Sequence, residues 1–286
     1  MINRFFHFWQ YLLFAFILLI FSSCSGEIEK KGVVKASENT GKPFVFPKNV
    51  KYIDSLKEQN GLNIKWVKKG KGSKLKDGDL VLINYMVTLP NGKLVDGSSK
   101  ISKSDLPFLV GYNMQSKGWD EAMRKMSVGD IATVILPSEL AWAEHSMGET
   151  LPANSDLIIQ FLIVGKVKPA ITVNGSKIWR WNLFKPNKDD IGFGPGKTVK
   201  FNLIVNSMKN VSLINTYTKK TLISNKFEDN FEPQSLKKAL TNAKKNQGIF
   251  LLVSPQEVSQ IKGIQQKFTK EESLFYNIQI VEVSEK

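Results

Sequence analysis

Three pieces of sequence decide the fold of this chain: LVLINY at residues 80–85, GWDEAM at 118–123 and LIIQFLIV at 157–164. The first and last are short, apolar and rich in β-branched residues, which is typical of strands inside a sheet. The middle piece begins a run whose apolar residues recur at helical spacing: Trp119, Ala122, Met123 and Met126. A helix this short is stable only when other elements cover its apolar face. The stretch therefore predicts an α+β domain with one helix of about three turns, Ser116 to Met126, against a sheet.

Further strands surround this stretch. Alternating apolar and polar residues predict a strand over 62–67, and a β-branched run predicts another over 131–136. The turn dipeptide Asn91-Gly92 predicts a hairpin between the strand over 80–89 and a return strand that begins at Leu94. Residues 50–59 predict either a short helix or a strand at the entry of the domain, which we place at residues 50–167.

The composition is that of a basic globular protein. The chain has 286 residues, 42% of them hydrophobic, which is enough for two domains with apolar cores. Its 40 Lys and Arg against 26 Asp and Glu give a net charge of +14. A basic balance can indicate nucleic acid, an anionic membrane or acidic partners. The lysines are scattered without a run of five or six, so we expect a solvated basic surface near a membrane and no nucleic-acid binding.

The first 23 residues predict a signal peptide. Arg4 precedes an almost wholly apolar run from Phe5 to Phe21, and small residues then lead to Cys24, the only cysteine of the chain. This pattern resembles a bacterial lipoprotein signal, which is cleaved before a cysteine that becomes acylated. The alternative is an uncleaved membrane anchor, for which a run of about 17 residues is short.

Residues 24–49 are polar and predict a flexible tether. We therefore expect a protein of the cell envelope, anchored to a membrane by lipid on Cys24. The sequence leaves open whether the anchor lies on the periplasmic face of an outer membrane or on the cell surface.

Residues 60–167 resemble an FKBP-type peptidyl-prolyl cis-trans isomerase over the whole length of its domain. The matching segments keep the order and spacing of the family: Tyr85 at a strand end, Asn91-Gly92, Val95-Asp96-Gly97-Ser98, Gly118 to Ala122, Met126 to Gly129, Pro137 to Ala141 and Leu151 to Asn154. The resemblance implies a twisted antiparallel half-barrel sheet around one short helix. It also implies proline-containing polypeptides as partners and no cofactor.

The chemistry of this reaction needs little from a protein. An X-Pro bond isomerises slowly because amide resonance sets a barrier of about 18–20 kcal/mol. A dry apolar bowl for the proline ring, with a donor for the rotated carbonyl, lowers that barrier without a nucleophile or a metal. We expect no metal site, because His145 has no Cys or second His near it in the sequence.

By the resemblance, Trp119 forms the pocket floor and Asp96 lies at its rim. The expected walls are Tyr85, Val95, Ile159 and either Leu106 or Phe108. Gln115 and Ser116 take the place where the substrate backbone bonds. The alternative for each of these residues is structural: core packing for Trp119 and Tyr85, and a turn cap for Asp96.

The chain departs from the family at several of these positions. Val95 and Ile159 stand where the family often has phenylalanines. Trp142 replaces a tyrosine whose hydroxyl donates to the substrate, and Ala143 replaces the glycine that follows it. An indole N–H can still donate, although from a different position. These changes favour retained binding over full activity.

Residues 168–286 predict a degenerate copy of the first domain. Several pieces recur in the same order, among them the last strand, LFYNIQIV at 274–281, and a segment that aligns Pro255 with Pro137. Leu203 falls at Tyr85 and Leu236 at Trp119, so we expect a second FKBP-like domain without isomerase activity. The alternative is an unrelated α+β domain with similar spacing. Trp179 and Trp181 share one strand face, which suits core or interdomain packing or else a partner surface.

Two functions fit these observations. In the first, a membrane-tethered isomerase assists the folding of exported proteins. In the second, both domains are docking modules of an envelope complex such as a secretion or surface-motility assembly. The chain resembles the gliding-associated FKBP-type lipoproteins of Bacteroidetes, which is an argument by analogy alone. Tyr85, Asp96 and Trp119 favour the enzyme, whereas Val95, Trp142 and Ile159 favour the docking subunit.

Overall fold

The computed structural model describes residues 45–46, 50–98, 105–146, 148–182, 187, 189–261 and 271–285. The predicted signal peptide, Cys24 and nearly all of the predicted tether lie outside these residues. The described residues divide into two compact units, with the division between Val167 and Lys168. In this part of the chain no helix is long and apolar enough to cross a membrane.

The first unit is an antiparallel sheet with one α-helix and one 3-10 helix. Its strands are β1 (Asp54–Lys57), β2 (Asn63–Lys68), β3 (Leu80–Thr88), β4 (Leu94–Gly97), β5 (Leu106–Leu109), β6 (Ile131–Leu136) and β7 (Leu157–Lys166). Helix α1 is Lys117–Met123, and the 3-10 helix is Ser138–Leu140. The strand order is β1-β2-β6-β7-β3-β4, and β5 also pairs with β3.

The core of this unit lies between the sheet and α1. Alternation along β3 and β7 sends every second side chain to this core, and Trp119, Ala122 and Met123 of α1 meet them there. The residues at the entry form a strand, β1, and not a helix, because they pair with β2. The helix is shorter than predicted: it ends at Met123, and the N–H groups of Lys125 and Met126 make three-residue turn bonds with Ala122 and Met123.

The second unit has its own antiparallel sheet. Its strands are β8 (Ile171–Val173), β9 (Ser176–Asn182), β10 (Lys197–Asn206), β11 (Ile214–Asn215), β12 (Ile223–Lys226), β13 (Gln247–Val253) and β14 (Leu274–Glu285). Its helices are α2 (Thr216–Lys219), α3 (Gln234–Leu240) and α4 (Pro255–Val258). The strand order is β11-β10-β14-β13-β9-β8, with β12 also on β10.

Both units have the same topology. Read in reverse, the strand order of the second sheet is that of the first, with β8 in the place of β1 and β14 in the place of β7. Even the bulge is repeated, between Leu82 and Ile83 in β3 and between Lys200 and Phe201 in β10. The predicted fold class, two FKBP-like α+β domains, is confirmed.

The tryptophan pair of β9 lies on the sheet face opposite the core of the second unit. Ile178 joins that core, whereas Trp181 packs edge-on against Phe250 at 4.2 Å, and Phe250 in turn against Phe275 at 4.9 Å. Trp179 is buried as well. The shared face of Trp179 and Trp181 follows from the period of two in a strand.

Candidate active site

Tyr85 and Asp96 meet in the hairpin of β3 and β4. The Tyr85 hydroxyl donates to Oδ2 of Asp96 at 2.8 Å. Ser98 holds the hairpin beside them: its N–H donates to the Tyr85 carbonyl at 2.9 Å, and its Oγ accepts from the Tyr85 N–H at 3.1 Å. Burial first, and then the charge of Asp96, raise the pKa of Tyr85 well above its ordinary value of 10.0. The phenol therefore stays a donor at neutral pH.

Gly118 allows helix α1 to carry Trp119 into the core. A Cβ at Gly118 would lie 2.2 Å from Cδ1 of Leu136 and 2.7 Å from the carbonyl oxygen of Leu140. Only glycine lets the helix begin this close to β6 and the 3-10 helix. As a result, the Trp119 side chain lies beneath the hairpin and is 1% exposed.

Three aromatic rings frame the Trp119 indole. Tyr85 meets it edge-on with 5.3 Å between centroids, Phe161 edge-on at 4.9 Å, and Phe108 stacks on it at 5.9 Å. These are favourable aromatic geometries. Nε1 of Trp119 is buried and has no hydrogen-bond partner among the described residues. Such a donor costs about 1–3 kcal/mol, which a bound acceptor would recover.

Asp120 fixes the turn that leads into α1. Its carboxylate accepts from the N–H of Gly111 at 2.7 Å and from the N–H of Asn113 at 2.8 Å. Burial raises the pKa of Asp120 from 3.8 to about 6, against the opposing effect of these two bonds. The turn holds Gln115 and Ser116, whose Oε1 and Oγ are buried without partners in the described part of the chain.

The rim is formed after the 3-10 helix. Trp142 is half-buried and packs against the core cluster, as does Met114. Ala143 has a φ of 45°, in the left-handed region that favours glycine. The N–H of Ala143 donates to Ser138 at 2.8 Å, and its carbonyl accepts from Asn154 at 2.7 Å, so the strained conformation is held from both sides.

The structure brings most of the predicted site residues into one cluster. Tyr85 bonds Asp96 through its hydroxyl and meets Trp119 with its ring. Four more predicted site residues are buried in the core that contains Tyr85 and Trp119: Val95, Leu106, Phe108 and Ile159. Trp142 packs on the same cluster from the rim. Of the two candidates for one wall, Phe108 is the residue whose ring stacks on Trp119.

Sequence reasoning missed Phe161 and Asp120. Phe161 lies two residues after Ile159 in β7, so the period of two could have placed it on the same face. Asp120 looks like a surface residue of a short helix. Its burial follows from the turn at 111–113, whose backbone donors it satisfies.

The second unit keeps the hairpin and lacks the polar pair. Counted from the repeated bulge, Leu203 has the register position of Tyr85, and Ile214 that of Asp96. Thr216 accepts from the Leu203 N–H at 2.9 Å, as Ser98 does from Tyr85. Leu236 is the third residue of its helix, as Trp119 is in α1.

After β13, the predicted alignment of the second unit with the first was wrong by one residue. Leu136 pairs with Leu157 and Val253 with Leu274, so Ser254 and not Pro255 takes the place of Pro137. Glu257 therefore takes the place of Leu140. Its carboxylate, 3% exposed, accepts from Ser176 Oγ at 2.6 Å and from the Ser235 N–H at 3.0 Å.

Such a site suits the binding of a small apolar ring. An indole framed by three rings offers dispersion contact and excludes water, while the Tyr85–Asp96 pair adds polarity at one side. Because the indole is covered, a ring reaches it only when side chains above it move. The fold and the site thus define a ring-binding α+β domain of the kind that isomerises prolyl bonds.

Comparison with known proteins gives the family. The model of the family described as FKBP-type peptidyl-prolyl cis-trans isomerase matches residues 71–163, within the first unit. FK506-binding protein 1A of Neurospora crassa is 32% identical over 112 residues, which cover 39% of this chain and 92% of that protein. This chain belongs to the FKBP-type peptidyl-prolyl cis-trans isomerase family, and its first unit holds the isomerase domain.

Two further proteins are similar to part of this chain. The FKBP-type peptidyl-prolyl cis-trans isomerase FkpA of Aeromonas hydrophila is 33% identical over 119 residues, or 42% of this chain and 43% of that protein. The chain thus spans less than half of that relative. The crystal structure of AtFKBP13 is similar with a TM-score of 0.38 and 27% identity, covering 40% of this chain and 99% of that one.

Proposed function

We propose that this chain accelerates the isomerisation of X-Pro bonds in exported proteins at the cell envelope, with its first unit as the catalyst. The observation that carries the proposal is the contact of Tyr85, Asp96 and Trp119 in one buried cluster. The proline ring of the substrate lies against the indole. The half-buried Trp142 supplies an N–H at the rim for the carbonyl as it rotates.

Catalysis then follows from the environment of the amide. Planar amide resonance separates charge, and an apolar site stabilises that charge less well than water does. The twisted transition state has lost the resonance, so it is destabilised less by the site. Binding therefore favours the transition state over the ground state, which is the condition for catalysis. With Val95 and Ile159 as aliphatic walls, the site covers less aromatic surface, and we expect weaker catalysis than a wall of phenylalanines would give.

An isomerisation assay tests this function. The chain from Ser25 onward retains every described residue and is added to a proline tetrapeptide whose cis form is detected. We expect acceleration, and its loss in Trp119→Ala and in Asp96→Ala variants that keep the far-ultraviolet circular dichroism of the parent. A well-folded parent without any acceleration refutes the proposal. Acceleration that survives both substitutions shows that the site lies elsewhere.

The proposed location at the cell envelope rests on the predicted signal peptide, residues 1–23. We propose that the chain is a lipoprotein acylated on Cys24, with proline-containing exported polypeptides as clients. The support is the apolar run that ends in small residues directly before the single cysteine. Metabolic labelling with a fatty-acid analogue tests it: the parent incorporates label and Cys24→Ala does not. Label retained in the variant refutes the anchor.

The second unit is proposed to bind clients or partners of the envelope, such as a surface-motility assembly, without catalysing isomerisation. Leu203 and Ile214 at the positions of Tyr85 and Asp96 support this, because they offer no polar pair.

A further inference from the structure

The end of β2 and the connection from β2 to β3 concentrate positive charge. Within the nine residues 68–76, here named the lysine loop, five side chains are exposed lysines: Lys68, Lys69, Lys71, Lys74 and Lys76. The sequence shows them as scattered because glycines and Ser73 separate them. In the structure they occupy one short connection on the surface of the first unit.

The backbone of the lysine loop is fixed. The N–H of Gly70 donates to the buried carboxylate of Asp130 at 2.6 Å, and the N–H of Gly72 donates to the Val128 carbonyl at 3.1 Å. Lys74 forms a β-bridge with Ser127. A Cβ at Gly70 would lie 2.1 Å from the carbonyl oxygen of Val128, so the loop is held against the connection between α1 and β6. Binding here orders side chains only, which lowers its entropic cost.

Nearby acidic residues leave most of this charge uncompensated. Asp54 pairs with Lys69, Asp77 with Arg124 at 2.7 Å, and Asp79 with Lys166 at 2.7 Å. Over the described residues, no ion pair is formed by the remaining members of the loop: Lys68, Lys71, Lys74 and Lys76.

An exposed apolar side chain lies next to the loop. Ile53 is 61% exposed, and its N–H donates to the Trp66 carbonyl at 2.8 Å. The antiparallel register Asp54 to Trp66 therefore carries Ile53 to the end of β2, where the lysine loop begins. A lysine-rich loop beside an exposed isoleucine matches an anionic lipid surface, which takes charge at the headgroups and apolar side chains just below them.

We propose that the lysine loop and Ile53 form a docking surface for an anionic lipid bilayer. Nucleic acid fits this surface less well, because single-stranded binding uses exposed aromatic rings on which bases stack. Two aromatic residues lie at this end of β2. Trp66 is buried, with Nζ of Lys69 4.8 Å from its ring centroid, and Tyr52, which is 39% exposed, donates its hydroxyl to Thr133 at 3.3 Å and is a single ring, not a series on which bases could stack. The surface acts independently of any acyl chain on Cys24 and of the isomerase site.

Vesicle sedimentation tests the surface with the chain from Ser25 onward, which lacks the apolar leader and Cys24. The vesicles are phosphatidylcholine with about one third phosphatidylglycerol, against phosphatidylcholine alone. We expect binding to the anionic vesicles only, weakening as salt rises. The variant Lys68→Gln, Lys71→Gln, Lys74→Gln should lose at least about tenfold in partition coefficient, because each basic residue near such a surface contributes roughly a fivefold factor.

A matched variant separates the loop from net charge. Lys209→Gln, Lys226→Gln, Lys245→Gln removes the same charge from exposed positions of the second unit and should bind within about twofold of the parent. Ile53→Ser should weaken binding and leave its salt dependence unchanged. Equal losses in both triple variants, or full binding by the loop variant, overturn the proposal. Loop-dependent binding of a single-stranded oligonucleotide without vesicle binding also overturns it.

Discussion

The hydroxyl of Tyr85 donates a hydrogen bond to Asp96, so removing this hydroxyl should lower the stability of the first unit. We expect Tyr85→Phe to lower the free energy of unfolding by about 1–2 kcal/mol, since a buried carboxylate loses one donor. Urea denaturation measures this. Tyr52→Phe is the control: its hydroxyl donates to Thr133 at 3.3 Å from a part-exposed ring and should change stability by less than about 0.5 kcal/mol. Equal effects of the two substitutions would contradict a stabilising hydrogen bond between Tyr85 and Asp96.

The difference in unfolding free energy between the parent and Tyr85→Phe should depend on pH. Because folding raises the pKa of Tyr85, the unfolded chain loses the phenolic proton first, near pH 10. The stability that Tyr85 adds is therefore complete below pH 10 and declines above it. The gap in unfolding free energy between parent and Tyr85→Phe should narrow as the pH rises beyond 10.

Ala143 stores strain at the rim. A residue with a Cβ costs roughly 1–2 kcal/mol in the left-handed region, whereas the added freedom of a glycine in the unfolded chain costs about 0.5–1 kcal/mol. Ala143→Gly should therefore stabilise the first unit by up to about 1 kcal/mol in a urea titration. Ala153→Gly, at an exposed turn position, is the control and should not stabilise. Destabilisation by Ala143→Gly would mean that the conformation is not strained.

At the scale of elements, helix α1 and the turn before it are joined through Asp120. Because folding raises the pKa of Asp120 to about 6, the folded unit holds this proton more tightly than the unfolded chain, whose value is near 3.8. The stabilisation of the folded unit by this proton is complete below pH 3.8 and is lost as the pH rises through about 6. Relative to Asp120→Asn, the parent should gain up to about 3 kcal/mol between pH 7 and pH 4. Parallel pH profiles of the two proteins contradict this.

The elements themselves were largely predictable, and their junctions were not. The strand over 131–136 was foreseen at its full length because a β-branched run is a local signal. The end of α1 at Met123 depends on tight turn bonds that helical spacing alone cannot show. Similarly, Glu257 stands at the position of Leu140, one residue away from the alignment that the sequence suggested, and only strand pairing reveals it. Phe161, which pairs with Tyr85, was within reach of a local signal, because it follows Ile159 by two residues in the same strand.

In the whole chain, two units share one strand topology but differ in the side chains that they bury. The hairpin bond of Ser98 recurs as that of Thr216, so the backbone is conserved between the units where the site is not. In the second unit, the close approach of Gly118 to Leu140 is replaced by a hydrogen bond from Ser235 to Glu257. A buried carboxylate with several donors fixes that helix in place without a ring-binding floor.

This difference predicts where the activity of the whole chain resides. Trp119→Leu gives the first unit the residue that the second unit has at this position, and we expect it to lower kcat/KM by at least about tenfold. Circular dichroism checks that the variant is folded. If activity remains, the double variant Trp119→Leu, Leu236→Ala decides its source. Activity lost only in the double variant would place catalysis in the second unit, because Leu236 would then be part of a working floor. Activity retained in both variants would show that neither helix position holds the substrate ring.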